Sequence, residues 1–140
     1  MPGMTTGISD FDRAVRIGRP PNVVKLFPNS KALIVSGKFI DRAMIAKGKS
    51  VVMATNGRSN LIIRGALQAA QRANSAIIIE IARSEGGASA YCPVNYWNMA
   101  RQVDALCNEL GITVPVAIHA DHYGIKKEQD IASAKIEIPT

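Results

Sequence analysis

Three short apolar runs constrain the fold of this chain most. They cover residues 50–55, 76–82 and 114–118, and each is almost continuously apolar. Such runs are typical of strands in a parallel sheet that is covered on at least one face. Between and after them, apolar residues at helical spacing predict helices over residues 60–73 and 94–110, and a third from residue 126. Strands that alternate with helices favour an α/β fold with right-handed crossovers.

A polar cluster follows each apolar run. The clusters are Asn-Gly-Arg-Ser at residues 56–59, Arg-Ser-Glu-Gly-Gly at 83–87 and His-Ala-Asp-His at 119–122. In parallel α/β architectures, chemistry is carried by the loops that follow the carboxyl ends of the strands. The sequence therefore predicts that the three clusters contribute to one site.

The third cluster holds the strongest candidates for chemistry. On a strand, His119 and Asp121 point to the same side, and His122 lies just beyond the strand, beside Asp121. Imidazole is a common metal ligand, and a neighbouring carboxylate can act as an acid/base or orient the ligand. The alternative is a pair of polar loop histidines, with Asp121 capping the next helix.

The other candidates carry weaker signals. Ser84, Gly86 and Gly87 are a candidate phosphate cradle, although these residues taken alone favour a flexible loop. Asn56 either contacts substrate or starts the turn before the helix. Glu80 lies inside an apolar strand, so we expect a basic partner or a polar interior around it.

The first 49 residues carry most of the basic charge. Residues 1–50 contain nine Lys and Arg against three Asp and Glu, whereas residues 51–140 are balanced. Such an arm can bind an anionic partner, line the way to a phosphorylated substrate or form a solvated face. Nucleic acid is disfavoured because the charges are scattered. Spacing predicts a short turn of helix near residues 10–17 and a helix over 30–47, which Gly37 can interrupt.

Composition and cysteine spacing exclude several classes of protein. Cys92 and Cys107 form no CxxC pair, which argues against a zinc ribbon or disulfide framework and favours reduced thiols in the cytoplasm. No apolar run approaches the roughly 18 residues of a membrane span, and the first residues lack a signal pattern. Trp97, on the apolar stripe of the helix predicted over 94–110, is expected in the core.

Residues 50–127 resemble the class II, metal-dependent fructose-bisphosphate aldolases. The resemblance rests on an Asn closing the first strand, Ser-Glu-Gly-Gly after the second, Gly-Ile-Thr-Val-Pro-Val entering the third, and His-x-Asp-His at its end. It implies the first three β/α units of a TIM (β/α)8 barrel over residues 50–140, after an irregular and helical N-terminal arm over 1–49. As given, that barrel would be incomplete.

The resemblance also implies the chemistry. It implies zinc, or another divalent metal, bound by His122 as one ligand, with Asp121 taking the proton from the C4 hydroxyl of fructose 1,6-bisphosphate. Asn56, Ser84, Gly86 and Gly87 would bind this phosphorylated ketose, and His119 would have a supporting role. The products would be dihydroxyacetone phosphate and glyceraldehyde 3-phosphate. A homo-oligomer is expected for the full-length protein, with no nucleic-acid or membrane partner.

Two departures from the family pattern limit these expectations. In an ungapped reading, Ala82 takes the place of the phosphate-contacting serine, and Ser84 fits only with a two-residue insertion. The remaining metal ligands of the family come from later strands, so the 140 residues are expected to be an inactive fragment with an unpaired edge on the third strand. The alternatives are another ketose-bisphosphate aldolase of tagatose type and a non-catalytic half-barrel that pairs with a partner chain.

Overall fold

The computed structural model describes residues 8–87 and 91–123 of the 140-residue chain. The elements in chain order are α1 (Asp10–Gly18), α2 (Pro21–Leu26), α3 (Gly37–Lys47), β1 (Met53–Asn56), α4 (Asn60–Ala73), β2 (Ile77–Ala82), α5 (Arg83–Gly86), α6 (Met99–Leu110) and β3 (Val116–Asp121). The helix expected from residue 126 lies outside the described residues.

The three strands form a parallel sheet in the order β1-β2-β3. Asn56 pairs with Glu80, which in turn pairs with His119, and Ala82 pairs with Asp121 two residues further along each strand. The predicted α/β fold with a parallel sheet is therefore confirmed, and it is consistent with part of a TIM-barrel-like domain. The division of the chain at residue 49 stays a prediction.

One face of the sheet forms the larger core. Alternate residues of β2, Ile77, Ile79 and Ile81, are buried and pack with apolar residues of α4 and α6. Each buried side chain of this size contributes about 1.5–3 kcal/mol of transfer free energy. Helix α6 ends at Leu110, and its C-cap, Gly111, adopts a left-handed conformation that glycine accepts readily. The two helices therefore fix one face of the sheet and leave Ile78, Glu80 and Ala82 on the other.

The segment over residues 32–35 is extended, whereas the sequence pattern predicted helix there. Leu33 and Val35 pack on one side with Ile40, while Ala32 and Ile34 join the larger core on the other side. This alternation has the period of two that a strand requires. Ile34 bridges to Val116 of β3, so the start of the β3 edge is covered rather than unpaired as expected.

The segment before α6 is also irregular where helix was predicted. Helix α6 begins at Met99, and residues 91–98 precede it as turns. Trp97 is 68% exposed, so the prediction that it lies in the core is wrong. Val94 and Met99 are buried on either side of it. The helices that the structure describes include none that is long and apolar enough to cross a membrane.

Candidate functional site at the carboxyl edge of the sheet

The carboxyl ends of the three strands bring the predicted site residues to one edge of the sheet. Asn56, Glu80 and His119 occupy one row of the register, and Asp121 lies two residues further along β3. All four alternate with the residues that face α4 and α6, so they belong to the opposite face. The polar clusters after the strands are therefore close in space because the strands are parallel.

Three of these side chains lie close enough to share one cation. His119 Nδ1 is 2.9 Å from Glu80 Oε2. One ligand atom from each of Glu80, His119 and Asp121 lies within 4.8 Å of the other two. Glu80 is largely buried, with 15% of its side chain exposed, and the imidazole is its partner. One imidazole and two carboxylates are ligands that zinc and similar divalent ions accept.

His122 lies at the turn that ends β3. Its φ is +46°, in the left-handed region that histidine tolerates better than most residues with a side chain. Its side chain is 86% exposed, and Nε2 is 3.7 Å from Asp121 Oδ1. The backbone conformation thus turns His122 away from the strand while keeping its ring beside Asp121. Its role as a metal ligand stays a prediction.

Glu85, which the sequence reasoning did not single out, connects the loops after β1 and β2. Its buried carboxylate accepts hydrogen bonds from Asn56 Nδ2 at 2.7 Å, Arg58 Nε at 2.5 Å and the Ala82 amide at 3.2 Å. Arg58 also forms an ion pair with it through a terminal guanidinium nitrogen. The N-cap of α5 is Ala82, which has no side-chain oxygen to complete a Ser/Thr-x-x-Glu capping box, so the sequence carries no local signal for Glu85.

These contacts decide the ionisation of the Glu85 carboxyl group. Burial acts to raise its pKa, but the hydrogen bonds from Asn56, Arg58 and Ala82 together outweigh burial and hold the pKa below its usual value. The same pair raises the pKa of Arg58. Glu85 is therefore an anion at neutral pH, and it fixes the side-chain amide of Asn56 at the edge of the sheet.

The residues predicted to cradle a phosphate form the short helix α5 and its end. Ser84 is exposed. A Cβ on Gly86 would lie 2.8 Å from Ile81 Cγ2, and a Cβ on Gly87 would lie 2.6 Å from the Arg83 carbonyl oxygen. Close packing therefore requires both glycines, whether or not they contact an anion. Their binding role, like that of Asn56 and Ser84, stays a prediction.

A pair of aromatic rings lies beside this edge and was also missed. The Tyr96 hydroxyl donates to the Ile81 carbonyl oxygen at 3.3 Å, and its ring centroid is 5.6 Å from that of Tyr123. The Arg83 guanidinium lies 5.0 Å from the Tyr123 ring centroid, within cation–π range. Burial is the main cause that raises the pKa of Tyr96. These contacts pack Tyr123, the residue after His122, against Arg83 and Tyr96.

Comparison with known proteins identifies the family. The sequence model described as fructose-bisphosphate aldolase class-II matches residues 39–137, which is more than half of the chain. No curated protein and no solved structure matches the chain significantly. The matched range includes β1, β2 and β3 and every candidate residue at the carboxyl edge. The chain therefore belongs to the class-II fructose-bisphosphate aldolase family.

Proposed function

We propose that this chain contributes to a divalent-metal-dependent lyase that cleaves fructose 1,6-bisphosphate reversibly to dihydroxyacetone phosphate and glyceraldehyde 3-phosphate in the cytoplasm. Membership of the family supports aldolase-like chemistry in general. The observation that carries the proposal is the cluster of Glu80, His119 and Asp121 at the carboxyl edge of the sheet, beside His122.

The donor set at this edge fits a divalent ion such as zinc. His122 would supply one ligand, and Glu80 and His119 offer further oxygen and nitrogen donors within a few ångströms of Asp121. When bound, the metal supplies a Lewis acid that polarises the ketose carbonyl. The contact between His119 and Glu80 supports the role of His119 as a residue that orients its neighbours.

Asp121 is the proposed acid/base. Its carboxylate takes the proton of the C4 hydroxyl, the C4–O bond becomes the aldehyde carbonyl, and the C3–C4 bonding electrons pass to the dihydroxyacetone phosphate half. In condensation, the same carboxyl group returns the proton. Asp121 lies at the end of β3 and is partly exposed, so a substrate hydroxyl can approach it from solvent.

Substrate binding is assigned to the loops after β1 and β2. Glu85 accepts a hydrogen bond from the side-chain amide of Asn56. This contact holds the Asn56 amide in one orientation, in which it would contact a substrate hydroxyl. Ser84 with Gly86 and Gly87 would lie near a substrate phosphate. The described residues form three strands, whereas a barrel of this class has eight. We therefore propose that further strands complete the site, in a homo-oligomeric protein.

The test is the release of triose phosphates from fructose 1,6-bisphosphate in a coupled assay, with zinc and with EDTA. It is applied to the 140-residue chain and to the longest natural polypeptide that contains it. We expect no turnover from the 140 residues alone, and EDTA-sensitive turnover from the longer protein. Absence of cleavage by the longer protein, with tagatose 1,6-bisphosphate tested in parallel, would refute the proposal. Turnover by the 140 residues would refute the need for further strands.

Two substitutions in the longer protein separate the proposed roles. Asp121→Ala should reduce turnover at least about 100-fold, the contribution typical of a general base, and leave the zinc content unchanged. His122→Gly should lower the zinc content without loss of stability, because glycine adopts a φ of +46° without strain. Loss of zinc from Asp121→Ala would instead make Asp121 a ligand, together with Glu80 and His119.

A further inference from the structure

The backbone of His122 adopts a conformation that needs support from its surroundings. Its φ of +46° lies in the left-handed region, which costs free energy for a residue with a side chain and persists where neighbouring contacts hold it. The side chain of His122 is 86% exposed, so packing of the imidazole itself supplies little of this support. The support must therefore come from the residues on either side of His122.

The preceding residue, Asp121, is fixed by the sheet. It is the last residue of β3, and it pairs with Ala82 in the register of the parallel strands. Hydrogen bonds between the strands therefore hold the chain in place up to this point. Among the described residues, the register of β2 and β3 ends at this pair, so the strand fixes only one side of His122.

The following residue, Tyr123, is held by two contacts of its ring. The ring centroid lies 5.6 Å from that of Tyr96, at an interplanar angle of 59°, and 5.0 Å from the guanidinium carbon of Arg83. Both separations lie within the ranges of favourable aromatic and cation–π contacts. These two contacts, here called the Tyr123 clamp, therefore fix the chain on the other side of His122.

The two partners in the Tyr123 clamp are themselves anchored to the end of β2. The hydroxyl of Tyr96 donates to the Ile81 carbonyl at 3.3 Å, and its backbone amide donates to the Gly86 carbonyl at 3.2 Å. The ring of Tyr96 also packs against the larger core. Arg83 is the first residue of α5, directly after β2. The clamp therefore ties the turn at the end of β3 to the end of the neighbouring strand.

We propose that Arg83, Tyr96 and Tyr123 are positioning residues, which hold the backbone of His122 in its left-handed conformation and so preorganise it as a metal ligand. This inference rests on the proposed function, because it takes His122 as a ligand of the divalent ion. A ligand whose backbone is already fixed loses less conformational entropy when the ion binds. The two ring contacts and the strain of a left-handed residue are similar in free energy, so the clamp is strong enough to decide the conformation of His122.

The first test measures the zinc affinity of the longest natural polypeptide that contains the chain, by competition with a chromophoric chelator. Tyr123→Leu should weaken zinc binding about fivefold to fiftyfold, because it removes both ring contacts. Tyr123→Phe keeps a ring for both contacts and should bind zinc within about twofold of the wild type. Trp97→Leu removes a 68% exposed aromatic side chain next to Tyr96 in sequence, and as the matched control it should leave the affinity unchanged.

The second test measures the conformation of His122 without metal. In EDTA, the backbone ¹³C chemical shifts of His122 in the 140-residue chain report its φ. Arg83→Gln and Tyr96→Leu are distant from His122 in sequence, so a change in these shifts reports the contacts made through Tyr123. We expect both variants to move the His122 shifts away from left-handed values, and Trp97→Leu to leave them unchanged. Circular dichroism verifies that each variant is folded, and Arg83→Gln decides the test if Tyr96→Leu is not.

The opposite outcomes overturn the inference. Unchanged zinc affinity in Tyr123→Leu, or unchanged His122 shifts in the folded variants of Arg83 and Tyr96, would show that the clamp does not position His122. An equal loss of affinity in Tyr123→Leu and Trp97→Leu would indicate a general disturbance of the segment and would overturn it as well. Failure of the proposed function has a different signature, because the wild type of the longer protein would then bind no zinc. The shifts in EDTA would still decide whether the clamp holds the backbone of His122.

Discussion

Replacement of Glu85 tests whether the two loops at the carboxyl edge are held by one buried anion. The carboxylate of Glu85 accepts from Asn56, Arg58 and the Ala82 amide, and it is 5% exposed. Glu85→Gln keeps the shape of the side chain but removes the charge. It also places the side-chain NH2 group of glutamine, which is a donor, beside the donor groups of Asn56, Arg58 and Ala82.

The magnitude follows from these contacts. Removal of one partner from a fully buried ion pair costs about 3–5 kcal/mol. Here the side chain of Arg58 is 51% exposed and can be solvated again, so the loss should be smaller. We expect Glu85→Gln to lower the free energy of unfolding by about 2–3 kcal/mol, which corresponds to roughly 6–12 °C in melting temperature. Glu109→Gln, which removes the exposed partner of Arg64, is the control and should cost at most about 0.5 kcal/mol.

The pH dependence gives the decisive measurement. The pKa of Glu85 is lower in the folded protein than its ordinary value of 4.5. Its contribution to stability is therefore complete above that ordinary value, and it is lost as the pH falls through the lower pKa of the folded state. Urea unfolding from neutral to acidic pH should show the wild type and Glu85→Gln converging at the acidic end. A difference that stayed constant with pH, or that matched the difference for Glu109→Gln, would refute this reasoning.

Two further predictions concern packing and reactivity. Gly57→Ala should destabilise the protein by about 1–3 kcal/mol in urea unfolding, because its Cβ would lie 2.8 Å from a buried isoleucine methyl. Gly65→Ala, in α4 with open space around it, should instead stabilise by about 0.5–1 kcal/mol, and equal effects would contradict the packing argument. Burial raises the pKa of Cys107 to about 12, so in the folded protein at pH 8 a thiol reagent should modify Cys92 much faster than Cys107. Cys92→Ser should remove the fast phase, and its persistence would overturn the assignment.

The strands of this chain were predictable because their residues are apolar almost without interruption. Burial explains such runs in β2 and at the start of β3, whereas β1 is largely exposed. The parallel order then places Asn56, His119 and Asp121 at one edge. The helix predicted over residues 60–73 agrees with α4 for a similar reason, since its apolar stripe meets β2. Local pattern and tertiary contacts favour the same structure in each of these elements.

The prediction failed where the spacing of the apolar residues fits both a helix and an extended strand. Residues 32–35 were assigned to a helix, but their four consecutive buried side chains serve both faces of an extended segment beside β3. Trp97 was placed on a helical stripe that begins only at Met99. The role of Glu85 depends on partners 27 and 29 residues away, and no local pattern specifies such contacts.

The placement of the acidic residues on β2 and α5 bears on the proposed metal-assisted reaction on a bisphosphate. Glu85 is neutralised by Arg58, so its charge is used inside the protein. Glu80 and Asp121 remain, with the side chains of His119 and His122 beside them, and this combination attracts a cation rather than a phosphate. A divalent ion bound there would cancel the two negative charges of Glu80 and Asp121 and so allow an anionic sugar to approach. If metal binds first for this reason, phosphorylated ketoses should bind to the metal-free protein at least tenfold more weakly than to the zinc form.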